Sequence, residues 1–148
     1  MQKNYSCCFI YLNNKLLSEA TKENTKNLIN ELINKCNVKD FYFSNLNILD
    51  NFAYTLISKK KSENINIKRI KYKNYNESTN EITNNTCNKN FKLSRYKIKN
   101  LNIYKKIIFM CDFCIFVDQE INLCNFYNND LCSLMLYVKY LKKQILFV

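Results

Sequence analysis

No glycine and no proline occur in this chain of 148 residues. That absence limits the folds open to it, because glycine is the residue that enters left-handed backbone space without steric cost. Every turn that needs a positive φ is expected to fall to Asn or Asp, the next most tolerant residues. Loops that cradle phosphate through glycine lose their usual backbone. Lys, Asn, Ile, Phe and Tyr dominate instead, the residues whose codons are richest in A and T, so the bias is that of an AT-rich coding sequence. Histidine is also absent, which removes the usual general base near neutral pH.

Around that gap the hydrophobic pattern is regular, most of all from Cys111 to Val148. An apolar run, Cys111 to Asp118, leads into a polar loop, Gln119 to Asn129. A helical pattern follows from Asp130, with Leu131, Leu134, Met135, Val138 and Leu141 on one face, and then Gln144 to Val148. Buried strand, loop, helix, buried strand is a βαβ unit. Upstream, Tyr5 to Leu12 is a continuously apolar first strand. Ser18 is placed to cap a helix whose stripe is Leu28, Ile29, Leu32, Ile33 and Cys36. Asn37 stands where a helix-terminating glycine would stand. Lys39 to Phe43 reads as a second strand. Asp50 is placed to cap a second helix, with Phe52, Ala53, Leu56 and Ile57 inward. Ile67 to Tyr72 reads as a third strand, Asn74 to Asn90 as a long mobile polar loop, and Asn100 to Met110 as a helix feeding the fourth strand. The alternation predicts one Rossmann-like α/β domain over 1–148. Its sheet is expected to be five-stranded, mostly parallel and doubly wound in the order 3-2-1-4-5, with helices on both faces. The ligand crevice then lies at the carboxyl ends of strands 1 and 4.

The net charge is +11, almost all of it from lysine, since Arg69 and Arg95 are the only arginines. Scattered lysines give diffuse attraction to polyanions and not bidentate reading of phosphates. The eight cysteines fall mostly in apolar runs, and Met1 to Lys15 lacks the pattern of a signal peptide. Free thiols in a reducing, cytoplasmic setting are the expectation. No apolar run approaches the ~20 residues that cross a bilayer, so no membrane partner is expected. Cys111-x-x-Cys114 has metal or redox spacing, but its apolar neighbours and the lack of a second pair favour core thiols and no metal.

The residues resemble those of the SLOG superfamily, Rossmann-like domains for nucleotide-related ligands, and most of all its small bacterial type. Cys7-Cys8-Phe9-Ile10-Tyr11-Leu12-Asn13 stands where that family has a strand similar to C-C-F-T-G-H-R. Phe41 to Asp50 resembles F-Y-F-G-G-x-G-x-F-D at the same spacing. Cys111 to Asp118 is similar to S-D-x-x-I-x-x-x. Asp130-Leu131 with Tyr137 to Leu146 corresponds to the closing G-T and Y-A-K-K-K-K-K-E-I-I. The hydrophobic skeleton, Asp50 and Asp112 are kept; every glycine and the His-Arg pair are lost.

The resemblance implies a nucleotide or nucleotide-metabolite binding module, with a site eroded to a non-catalytic one and no cofactor. The candidate ligand-binding residues are Asn13, Ser44, Asn45, Asp50, Asp118 and Asn129. Asp118 is placed to meet a ribose hydroxyl or to act as an acid or base, though a loop cap explains it as well. Asn45, Asn47 and Asn129 either donate to a ligand or replace glycine in left-handed turns. A basic interaction protein that touches nucleic acid through its lysines is the alternative class. A deoxyribosyltransferase or phosphoribohydrolase is a weaker third, because no glycine-built phosphate cradle accompanies the carboxylates.

Overall fold

The structure, a computed structural model, describes residues 3–13, 15–60, 64–70, 100–118 and 129–148. Its elements in chain order are β1 (Tyr5–Ile10), α1 (Glu19–Asn34), β2 (Val38–Phe43), α2 (Ile48–Ser58) and β3 (Asn66–Arg69). A helix over residues 100–110, α3, comes next. The last three elements are β4 (Phe113–Phe116), α4 (Asn129–Tyr140) and β5 (Gln144–Phe147). The expected polar loop, Asn74 to Asn90, lies outside the described residues, as does the stretch 119–128.

All strands pair in parallel, in the order β3-β2-β1-β4-β5. This is the doubly wound, Rossmann-like sheet that the alternation predicts. Strand β1 lies at its centre, with Cys8 in register with Tyr42 on one side and with Cys114 on the other. Successive side chains of a strand face opposite layers, and β1 shows why its sequence is apolar throughout. Cys7, Phe9 and Tyr11 join the layer under α1 and α2. Cys8 and Ile10 join the layer under α3 and α4. Phe9 and Phe43 stack in the first layer with ring centroids 5.8 Å apart. Tyr104, Ile107 and Ile108 of α3 and Leu131, Leu134 and Val138 of α4 fill the second.

The cysteines fit the expectation of small core hydrophobes. Cys7, Cys8, Cys111 and Cys114 are fully buried, and the six cysteines among the described residues are free thiols. The Sγ atoms of Cys8 and Cys114 lie 3.8 Å apart across the β1–β4 ladder. The thiols of Cys111 and Cys114, together with burial, push Cys8 well above its ordinary value, and burial first of all does the same to Cys7. Among the described residues no cluster of Cys, Asp or Glu has the geometry of a metal site, and no helix is long and apolar enough to cross a membrane.

The turns answer the missing glycine largely as expected. Asn37, Asn45 and Asn64 have φ of 53°, 57° and 55°. Among the described residues the exception is Lys142, with φ 55°. It ends α4 in a Schellman turn, with Lys143 N–H donating to Val138 O at 3.1 Å and Lys142 N–H to Lys139 O at 2.9 Å. A lysine therefore holds a position that usually belongs to glycine, and neither Asn nor Asp marks it in the sequence. Two further expectations change. Strand β3 runs Asn66–Arg69, so it starts one residue before the expected Ile67 and leaves Ile70 outside it; positions 71 and 72 lie outside the described residues. Asn47, and not Asp50, caps α2: its φ is −140° and its Oδ1 accepts from Asp50 N at 2.7 Å. Ser18 caps α1 as expected, accepting from Thr21 N at 3.1 Å.

Candidate functional site

Because every strand is parallel, the segments after β1, β2 and β4 all emerge at one edge of the sheet. The order in which strands are added across the sheet reverses about β1, with β2 and β3 to one side and β4 and β5 to the other. In doubly wound sheets that switch point is where ligands bind. At this edge Asn13, Asn45, Leu46, Asn47, Ile48 and Asn51 line a cleft of about 250 Å³. It opens between the segment after β1 and the turn from β2 into α2.

The turn is built as a closed polar circuit. Asp50, in the first turn of α2, is buried. Its Oδ2 accepts from Ser44 N at 2.9 Å and from the Ser44 hydroxyl. Ser44 Oγ in turn accepts from Leu46 N at 3.1 Å. Asn47 Nδ2 donates to Tyr104 Oη at 2.9 Å, and Tyr104 Oη donates to Tyr11 O at 3.2 Å. Tyr104 belongs to α3, in the opposite helical layer, so the circuit passes over the end of β1 and joins both faces of the sheet. Asn45 adopts its positive φ between Ser44 and Leu46, which lets the turn fold back on Asp50.

Asp50 also carries an unpaired atom: its Oδ1 is buried and has no hydrogen-bond partner. Burial outweighs the hydrogen bonds from Ser44 and the nearby N–H groups of Asn45 and Leu46, and it pushes the carboxyl up to about 7. Those two N–H groups favour the anion by proximity without completing a hydrogen bond to Oδ1. At neutral pH the group is therefore poised between acid and carboxylate.

The sequence-predicted site residues divide between cleft, scaffold and neighbouring edge. Asn13 and Asn45 line the cleft. Asn13 Oδ1 also accepts from Lys15 N at 3.1 Å, which bends the chain after β1. Ser44 and Asp50 lie buried behind the cleft, as the scaffold of its wall. Asp118 is exposed just after β4, on the same sheet edge, and its N–H donates to Val148 O at 2.9 Å. Among the described residues that line the cleft, Asp118 is absent. Asn129 is the first residue of α4, and its side chain lies outside the described residues. Sequence reasoning missed Asn51. Its signal was present, since Asn51 follows the cap residue Asn47 by four positions and so shares its helix face. Tyr104 falls at helical spacing within Asn100 to Met110, which points to the core, and nothing in its sequence context marks its hydroxyl.

Fold and edge together define a doubly wound, Rossmann-like α/β domain with an amide-lined cleft beside its switch point. Compared with protein-family models, curated proteins and solved structures, the chain matches none.

Proposed function

We propose that this chain is a SLOG-like binding module for a nucleotide or nucleotide metabolite, without catalysis, working in a reducing, cytoplasmic setting. The observation that carries the reading is the cleft itself. It sits at the carboxyl edge of β1 and β2, beside the switch point, and presents asparagine amides from two separate loops. The polar circuit of Ser44, Asn47, Asp50 and Tyr104 supports the same reading, because it makes the wall rigid before any ligand arrives. Asp118 stands exposed on the same sheet edge, after β4, and is the carboxylate this reading assigns to a ribose hydroxyl.

The test is a thermal-shift screen of nucleosides, nucleotides and short oligonucleotides. A rise in Tm with mononucleoside compounds, weakened in Asp118→Ala at unchanged ligand-free Tm, supports the reading. A rise with oligonucleotides alone, lost as salt increases, overturns it in favour of the basic nucleic-acid-binding alternative.

A further inference from the structure

We propose that the cleft takes an uncharged, planar, hydrogen-bonding ligand of nucleobase or nucleoside size and gains nothing from a phosphate. This inference rests on the nucleotide-related reading above and narrows it by ligand class.

The wall decides the class. Among the described residues, the cleft is lined by four asparagines and two aliphatic side chains, with no charged group. An amide offers both a carbonyl acceptor and N–H donors, the complement of a base edge. A phosphate is instead met by Lys, Arg or clustered backbone N–H groups. Here three N–H groups of the turn are already engaged within the protein. Ser44 N donates to Asp50, Leu46 N to Ser44 Oγ, and Asp50 N to the cap Asn47. The anion that answers this turn is therefore internal, the Asp50 carboxyl directly behind the wall. Once ionised, that carboxylate also repels an incoming phosphate across the wall.

Asn45 and Asn51 are exposed at the rim, and neither side chain makes a hydrogen bond within the protein among the described residues. Asn47 differs, because its amide is consumed by Asp50 N and Tyr104. Recognition then falls to Asn45 and Asn51, with Leu46 and Ile48 supplying apolar surface for a planar ring. The volume, about 250 Å³, lies just below the ~300–1,000 Å³ of pockets for drug-sized ligands.

The experiment is calorimetric titration of the full chain with the four common ribonucleosides and their 5′-mono- and diphosphates, in about 0.3 M salt to screen the lysines. At least one nucleoside should bind, and its 5′-phosphates should bind no more than twofold tighter. Asn45→Gly, which keeps the left-handed turn, combined with Asn51→Ala should weaken that nucleoside at least tenfold with unchanged Tm. Unweakened binding by this variant overturns the assignment to the cleft. A 5′-phosphate that binds tenfold or more tighter than its nucleoside overturns the neutral-ligand inference and leaves the nucleotide-binding reading standing. No binding by any nucleoside or nucleotide overturns both.

Discussion

Ser6 and Asp112, separated by 106 residues, hydrogen-bond each other in both directions. Ser6 N–H and Oγ donate to Asp112 Oδ2 at 3.0 and 2.8 Å, and Asp112 N–H donates to Ser6 Oγ at 3.1 Å. Together they fasten the start of β1 to the turn that opens β4. Lys3 adds an ion pair at 3.4 Å. Burial raises the Asp112 carboxyl, but the Ser6 hydrogen bonds and the Lys3 charge outweigh it, and the group sits below the usual carboxylate range. Asp112→Ala should cost about 1–3 kcal/mol in urea unfolding at pH 7, because Ser6 N–H loses its acceptor. A lowered carboxyl contributes stability above its unfolded pKa that is lost as pH falls through the folded one. The deficit of the variant should therefore shrink below about pH 4.

Asp50 acts in the opposite direction. Its folded pKa, about 7, lies above the unfolded 3.8, so the folded state binds the proton more tightly. Its stabilising effect is present below the unfolded value and is lost as pH rises from about 4 to 7. The full interval is worth at most about 4 kcal/mol. With no histidine in the chain, few other groups titrate between pH 5 and 7. Denaturant midpoints should therefore fall across that window in the parent. In Asp50→Asn, which keeps the shape and cannot ionise, they should stay nearly flat. A parent profile as flat as the variant's would mean that Asp50 is ionised throughout.

Tyr104→Phe should destabilise by about 1–3 kcal/mol, although it removes only a hydroxyl. The Asn47 amide loses an acceptor and the Tyr11 carbonyl a donor, both at a buried position above β1. Chemical denaturation reads the loss. Amide hydrogen exchange should show the increase in opening at the β2–α2 turn and the end of β1, and not in β5.

Lys142→Gly should raise stability by about 1 kcal/mol, since a lysine in the left-handed region bears a Cβ penalty that glycine lacks. The same change at Asn37, already tolerant of that region, should move the Tm much less. Thermal unfolding of the two variants side by side separates the cost of the Cβ from any general effect of added chain freedom.

Much of this molecule could be read from its residues, and the limits of that reading have physical reasons. The strand order follows from alternation and crossover rules, both properties of apolar patterning, which the runs Cys7–Ile10 and Phe113–Val117 display plainly. Spacing does not decide the cap of α2, because Asn47 and Asp50 are both good cap residues three positions apart. Only the backbone shows which one stands in extended conformation. Lys142 could not be anticipated, because tertiary packing of α4 onto β5 fixes that turn against the local preference of lysine. In the site, Asn13 and Asn45 were legible as loop residues beside the switch point. The inward role of Asp50 depends on burial and on Ser44, which spacing alone does not reveal.

The Ser6–Asp112 link and the β1–β4 ladder also carry a consequence for synthesis on the ribosome. The first strand is made long before the fourth, yet it remains an open edge toward β4 until residues 113–116 have left the exit tunnel. Until then β1 can pair only with β2, and Cys8 and Ile10 face a layer that α3 and α4 have not yet formed. Apolar surface at an unpaired edge is prone to bind a chaperone or another nascent chain. The central strand thus waits longest for its second partner, and the risk of misassembly is highest just before the fourth strand arrives.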